Sequence, residues 1–359
     1  MANFTAALKH TIFFVALILA PSAGAQTKPK RYCSPEVYTA ESIDASMKVC
    51  DEIVADPRQP VSEKIQAYQN RGELFLRKKE YSSSLQNFNQ AIALLGTQKI
   101  VPFRGFGGPA LKAGSIHDIP ASSVYSNRAR LFERRKEYSR AIEDYTKALQ
   151  IRPDDQGNLY SRAKSHEILG QYDRALEDLE KSIAVAVSSS QDPYSRDFSA
   201  RGEIYLKKKE YDKAIRDFDK ALELDAKASP NSVDKSLLAS RGAAYLGKGD
   251  TDRALQDLDK AIPGNEIRSR YRNSRGLAYR KKGEIDRAIA EFDEAIKYAF
   301  ASDYSDDDRA EYFVNRAEAL GEKGEWLKAL EDHQSALTIS SSFSRAISGR
   351  NAARLALSR

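Results

Sequence analysis

The sequence is poor in the side chains from which catalytic and metal centres are built. Its 359 residues include four histidines, two cysteines and one tryptophan, so few combinations of nucleophile, base and metal ligand are available. The excess of one charge over the other is also small, because 57 basic and 51 acidic residues leave a formal net charge of +6. This composition disfavours a metalloenzyme and gives only weak support for a nucleic-acid partner. It favours a binding protein.

Long hydrophobic runs are missing except at the N-terminus. Residues 11–20 (TIFFVALILA) form an apolar stretch that follows Lys9 and precedes the A-x-A sequence at 23–25. A membrane-spanning helix needs about 20 apolar residues, so a retained anchor is the weaker interpretation. The pattern predicts a signal peptide over 1–25 with cleavage before Gln26, and hence export across a membrane.

Export changes the interpretation of the two cysteines, because thiols pair in oxidising compartments. Cys33 and Cys50 lie 17 residues apart, and a bridge between them would close a short loop worth about 3 kcal/mol in the chain-entropy model. We therefore predict a disulfide between Cys33 and Cys50. Two free buried thiols are the alternative.

The rest of the chain repeats one pattern of small and bulky residues. An Arg-Gly or Arg-Ala dipeptide recurs seven times, and its Gly or Ala is followed by a small residue after 12 positions, a bulky one after 16 and a small one after 19. Both halves of the pattern place these residues on one face of a helix. Such fixed self-similarity indicates a repeat architecture built from pairs of helices. The dipeptides begin at Arg71, Arg128, Arg162, Arg201, Arg241, Arg275 and Arg316.

This pattern resembles the tetratricopeptide repeat, a 34-residue unit with small and aromatic residues at set positions. The resemblance implies an all-α, right-handed superhelical solenoid of stacked helix-turn-helix hairpins. The chain is also similar to exported repeat proteins of Gram-negative bacteria, which makes the periplasm or secretion the expected destination. The predicted segments are the signal peptide 1–25, an N-terminal capping half-repeat over 26–64, seven repeats over 65–341 with an insert at 97–121, and a C-terminal capping helix over 342–359.

The recurrent arginine is itself a departure from the family pattern. Numbering each repeat so that the Gly or Ala of the dipeptide is position eight, arginine occupies position seven, where the family has leucine. Position twenty-three carries Asp in five repeats, Glu in one and Asn in one. Because the two helices of a hairpin are antiparallel, these positions lie opposite each other, which predicts a ladder of arginine–carboxylate pairs. Arginines that bind an anionic ligand are the alternative.

For function, the resemblance points to the concave face, which in this family is lined by positions two, five, nine, twelve and thirteen of the first helices. Here these positions are mixed in charge, with basic density in the middle repeats. Position five lacks, in every repeat, the lysine of the family's carboxylate clamp for chaperone tails. The candidate partner-binding residues are Arg130, Arg134, Tyr160, Lys164, Arg196, Lys207, Arg270, Asn273, Arg280 and Lys281.

The insert at 97–121 differs in composition from the repeats. Its four glycines and three prolines within 25 residues exclude a helix through most of it. A binding loop that carries Phe103 and Phe106 is one interpretation, and a tolerated surface insertion is the other. The Gly-Phe-Gly-Gly run lacks the lysine and hydroxyl of a phosphate-binding loop.

Together these features predict a non-enzymatic scaffold that binds peptide segments or partner helices in its groove, without cofactor or metal. No segment outside the repeats is long enough for an enzyme domain. The alternative is a groove for an acidic polymer, either polysaccharide or nucleic acid, bound by the basic middle repeats.

Overall fold

In a computed structural model, the chain folds into successive α-helices. The structure describes residues 33, 39–96, 121–230, 233–262, 269–300 and 305–358, and within them it contains sixteen helices and no strand. The helices are α1 (Ala40–Ala55), α2 (Val61–Arg77), α3 (Tyr81–Gly96), α4 (Ala121–Arg134), α5 (Tyr138–Ile151), α6 (Gln156–Ile168), α7 (Tyr172–Ser188), α8 (Ser195–Lys207), α9 (Tyr211–Ala228), α10 (Lys235–Lys248), α11 (Thr251–Ala261), α12 (Ser269–Lys281), α13 (Ile285–Ala299), α14 (Asp306–Glu322), α15 (Trp326–Ile339) and α16 (Ser344–Leu357).

Two predicted segments fall wholly or largely outside these residues. The predicted signal peptide, 1–25, is not among them, and neither are residues 97–120 of the predicted insert. Ala121, the last residue assigned to the insert, is instead the first residue of α4.

The helices α2 to α15 pack as seven hairpins, each a first helix followed by an antiparallel second helix. First helices of successive hairpins also contact one another, as in α6 with α8, α8 with α10 and α10 with α12. Among the described residues, second helices of successive hairpins make at most marginal contact. The first helices therefore line the inner, more tightly curved side. The expected all-helical solenoid of stacked hairpins is confirmed.

Small residues at position eight allow the two helices of a hairpin to approach closely. A Cβ added at Gly276 would lie 2.6 Å from the ring of Phe292, a residue that is fully buried between the helices. Alanines at Ala288 and Ala295 complete the same face and are also fully buried. Close packing of small against large residues is what fixes the hairpin geometry.

The turns inside the hairpins end the first helix with a residue in the left-handed region. Four repeats use glycine there, for example Gly249 with φ of 97°, which carries no steric cost. Three repeats use lysine instead, at Lys79, Lys136 and Lys209, with φ near 60°. A side chain in this region is strained.

The N-terminal end of the solenoid is closed by α1 and a disulfide between Cys33 and Cys50. Cys50 is fully buried and packs in one cluster with Ala67 and Leu74 of α2. The Asn70 side chain donates a hydrogen bond of 2.5 Å to the main-chain oxygen of Cys33. In later hairpins, one side of the first helix packs against the first helix of the preceding hairpin. Cys33 covers the corresponding side of α2. At the other end, α16 packs on α14 and α15.

Candidate functional site

The seven position-seven arginines form a ladder within the hairpins. In five repeats, the guanidinium Nε and Nη2 donate to both oxygens of the aspartate 16 residues later, at 2.6–2.8 Å. Arg275 donates to Glu291 at 2.6 Å, and Arg71 donates to Asn87 at 2.6 Å. The aspartates are almost fully buried, which makes these forked pairs part of the core. The five aspartate pairs are Arg128–Asp144, Arg162–Asp178, Arg201–Asp217, Arg241–Asp257 and Arg316–Asp332.

Several of the same arginines also reach back to the preceding hairpin. Nη1 of Arg241 donates to Asp219 at 2.6 Å, and Nη1 of Arg316 donates to Asp293 at 2.6 Å. These acceptors stand at position twenty-five of the previous repeat, two residues beyond the partner predicted from sequence. The hydrogen bond to Asp257 raises the pKa of Arg241 further above its usual value. The ladder therefore joins neighbouring repeats as well as the helices of one hairpin.

The basic residues predicted to line the groove are largely paired inside the chain. Arg130 of α4 lies 3.2 Å from Glu73 of α2, and the same arginine donates to Asn127. In repeat six, Arg280 donates to Glu318 and to Glu322, each at 2.6 Å. The ion pairs with Glu73, Glu318 and Glu322 cross from one first helix to the next. The groove thus holds inter-repeat ion pairs on the face that the sequence showed to be mixed in charge.

The middle of the groove is organised around one buried carboxylate, Glu167 of α6. It accepts a hydrogen bond from Lys164 on the same helix and another, of 2.7 Å, from Lys207 on α8. Burial alone would raise its pKa, but the two lysines outweigh that effect and lower it. Two lysines therefore share a single negative charge, which leaves this part of the face positive.

The remaining predicted residues differ in what they offer. Arg134 and Arg270 are exposed, and Lys281 is exposed with its Nζ 3.4 Å from the main-chain oxygen of Leu246. Asn273 is only 7 % exposed, and its side-chain oxygen accepts a hydrogen bond of 2.8 Å from Asn315. Asn273 thus connects repeats six and seven, and its side chain is not open to a partner.

Tyr160 and Arg196 are in direct contact. The guanidinium of Arg196 lies 4.7 Å from the ring centre of Tyr160 and 4.6 Å from that of Tyr194. Tyr194 was not predicted, because it stands in the connection before α8 and outside the repeat pattern. The sequence pattern that could have identified Tyr194 is a tyrosine two residues before an arginine at position two of a repeat.

Two acidic residues of the same face have raised pKa values. Burial raises the pKa of Glu133, whose carboxylate accepts a hydrogen bond of 3.0 Å from Ser165 of the next repeat. Burial likewise raises the pKa of Glu311 near the C-terminal end. Both carboxyl groups are therefore easier to protonate than a fully hydrated glutamate.

The described residues hold no group of three or more His, Cys, Asp or Glu side chains placed to bind a metal ion. Of the helices described, none combines the length and apolar character needed to cross a bilayer.

Comparison with known proteins assigns the class. Three family profiles, each described as a tetratricopeptide repeat, match the chain from the second predicted repeat onward. The chain belongs to the tetratricopeptide-repeat family. The matched residues are 122–155, 157–186, 198–227, 239–305 and 273–343.

The particular relatives are more distant. A stretch of 107 residues is 28 % identical to the mitochondrial import receptor subunit TOM70 of Homo sapiens, and the match covers 30 % of this chain and 15 % of that protein. TOM70 of Mus musculus matches to the same degree. The chain therefore corresponds to a small part of the length of these relatives.

Solved structures share the fold. A tetratricopeptide repeat protein from Parabacteroides merdae superposes with a TM-score of 0.58 at 17 % identity, over 81 % of this chain and 98 % of that one. The Cut9–Hcn1 hetero-tetramer of the APC/C gives 0.57 at 14 %, over 87 % and 52 %. PilW, a type IV pilus biogenesis factor, gives 0.53 at 14 %, over 63 % and 97 %. At these identities the likeness establishes the fold.

Proposed function

We propose that the chain is a non-enzymatic scaffold that binds a protein segment along the groove formed by its first helices. The observation that carries the proposal is the groove itself. Successive first helices contact one another and present charged side chains that remain about half exposed even where they are paired, such as Arg130 and Lys207. Half-exposed polar groups suit a surface that exchanges internal contacts for those of a partner.

Similarity supports the same function. The relatives that match part of the chain are named as subunits of an import receptor, and one structural neighbour is part of a hetero-tetramer. Protein binding is thus a use of this fold among the proteins that share it.

The pairing of the groove favours a protein segment over an acidic polymer. A polysaccharide or nucleic acid binds through a row of uncompensated cations, whereas Arg130 and Arg280 each have a carboxylate within the chain. A polymer that bound these arginines would first have to break their ion pairs inside the chain, and that cost would offset much of the electrostatic gain from binding. We therefore keep the polymer as the second candidate, to be tested by retention on heparin at about 0.15 M salt.

Export is part of the proposal. The apolar N-terminal stretch and the A-x-A sequence at 23–25 support a cleaved leader, and the disulfide between Cys33 and Cys50 suits an oxidising compartment. N-terminal sequencing of the protein recovered from the periplasm or medium should begin at Gln26. Recovery with residue 1 intact in the cytoplasm would contradict export.

The groove can be tested by site-specific cross-linking. A photo-activated cross-linking residue would be placed at Arg134 or at Lys281, both exposed on first helices, and in the control at Arg216, exposed on the second helix α9. We expect one discrete adduct from the two groove positions and none from Arg216, with the partner peptide identified by mass spectrometry. Equal adducts from all three positions, or an adduct only from Arg216, would remove the groove as the binding surface.

A further inference from the structure

Arginine stands at position two in three places along the groove, and each has a different environment. Arg345 of α16 donates to Glu318 at 2.7 Å and to Asn315 at 3.1 Å, so internal acceptors engage it. Arg270 of α12 is exposed and has Ala239 at position five of the preceding repeat. Arg196 of α8 has Tyr160 at that place instead. Of these three arginines, only Arg196 has a guanidinium that is held by aromatic rings and not by hydrogen bonds to internal acceptors.

Two tyrosine rings lie against the Arg196 guanidinium. Its central carbon lies 4.7 Å from the ring centre of Tyr160 and 4.6 Å from that of Tyr194. Such cation–π contacts involve the ring faces and do not require any of the five N–H donors of the guanidinium, which remain for other partners. The side chain keeps 46 % of its exposure. A stacked arginine has also lost part of its rotamer freedom already, so binding through it costs less entropy.

The carboxylate next to Arg196 does not satisfy it. Asp197 is fully buried, and one of its oxygens accepts a hydrogen bond of 2.7 Å from Ser182. The other oxygen lies 3.6 Å from Nε of Arg196, beyond hydrogen-bond distance, and has no hydrogen bond of its own. Burial raises the pKa of Asp197 above that of an exposed aspartate. Arg196 therefore retains most of its capacity to bind an external anion.

The surroundings of Arg196 add positive charge at a defined spacing. Lys207 stands 11 residues further along α8, about 16 Å away at 1.5 Å per residue. It shares the single carboxylate of Glu167 with Lys164, so one of these two lysines is uncompensated. An extended peptide covers about 16 Å in roughly five residues.

We propose that Arg196, held between Tyr160 and Tyr194, anchors an acidic side chain of an extended partner peptide through a forked salt bridge. A second acidic side chain about five residues away reaches the lysine pair at Lys207. This inference rests on the proposed groove function and specifies its ligand. Carboxylate is the matching chemistry because a planar guanidinium edge offers two parallel donors to its two oxygens.

The test uses synthetic ten-residue peptides titrated into the purified chain by calorimetry. The probe carries two glutamates five residues apart in a Ser/Ala background, with acetylated and amidated ends so that only side chains are acidic. Its controls replace both glutamates with glutamine or place them side by side. We expect the probe to bind about tenfold more tightly than either control.

The variants separate anchoring from general charge. Arg196→Ala should weaken the probe by about tenfold, and Arg196→Lys should weaken it nearly as much, because lysine keeps the charge but lacks the planar fork. Tyr194→Ala should give a smaller loss through the missing ring. Arg270→Ala, which removes an exposed arginine in the same register, should change affinity by less than about twofold. Circular dichroism would verify that each variant is folded.

The inference is overturned by no binding of the probe at about 1 mM, by equal binding of the glutamine peptide, or by equal losses in Arg196→Ala and Arg270→Ala. Tighter binding of a peptide whose only carboxylate is its free C-terminus would also overturn it, in favour of terminal recognition. If cross-links from Arg134 and Lys281 identify a partner while Arg196→Ala leaves its affinity unchanged, the groove function stands and the anchor alone fails.

Discussion

The Arg201–Asp217 pair allows the energy of the arginine ladder to be measured at one rung. Asp217→Ala removes a carboxylate whose side chain is 8 % exposed and which accepts two hydrogen bonds of 2.8 Å from Arg201. Removal of one member of a buried ion pair costs about 3–5 kcal/mol. Arg201 keeps 19 % of its exposure, so water can replace part of the lost contact, and we expect a loss of about 2–3 kcal/mol.

Two controls separate the pair from its surroundings. Asp173→Ala removes a carboxylate that lies 2.7 Å from Lys208 but is 85 % exposed, and it should leave stability within error of wild type. The double variant Arg201→Met with Asp217→Leu replaces the pair by apolar side chains of similar size. Because no uncompensated charge remains, it should be less destabilised than Asp217→Ala alone.

The assay is urea unfolding followed by circular dichroism and analysed with a nearest-neighbour scheme, since repeat arrays unfold in parts. Hydrogen exchange in α8 and α9 localises the effect to the fourth hairpin. If Asp217→Ala is as stable as Asp173→Ala, the forked geometry contributes nothing to stability. If the apolar double variant is the least stable of the three, specific packing around the pair outweighs its charge.

Three further predictions concern the turns, the C-terminal hairpin and the cap. Lys209→Gly should raise the free energy of unfolding in urea by about 0.5–1 kcal/mol, because φ of 60° is strained for lysine, and Gly249→Lys should lower it comparably. Burial lowers the pKa of His333 in the folded state, so the native state binds fewer protons and stability should fall as pH drops below about 6.5; His333→Phe should flatten urea midpoints between pH 7 and 5, and an unchanged slope would contradict this. Reduction of Cys33–Cys50 should cost about 3 kcal/mol, seen as faster hydrogen exchange in α1, and two titratable thiols in the unreduced protein would exclude the bridge.

The hairpins follow from the sequence because their contacts are local and periodic. Gly276 and Phe292 are separated by an offset that recurs in every repeat, so their contact is encoded at each copy. The pairing of Arg201 with Asp217 has the same origin, since the offset of 16 residues is set by two helices and one short turn. Regular elements of fixed length leave little freedom for these positions.

The groove is less predictable. The sequence placed Lys207 on the inner face, but its contact with Glu167 spans 40 residues and depends on how one hairpin is rotated against the next. The same rotation buries Asn273 against Asn315. Connections of unequal length between hairpins also make this rotation hard to derive from sequence. One of these connections contains Tyr194, which contacts Arg196.

The sequence by itself therefore determined the hairpin, its register, its ladder and the faces that meet, because a helical period converts spacing directly into contact. Tertiary structure alone decided which groove charges are neutralised and which remain available. Those contacts join side chains from different repeats, whose separation depends on the small rotation accumulated at each junction and not on any spacing within one helix. Arg130, Arg196 and Arg270 all read as cations of the same groove, yet one is paired with Glu73, one is stacked and one is exposed.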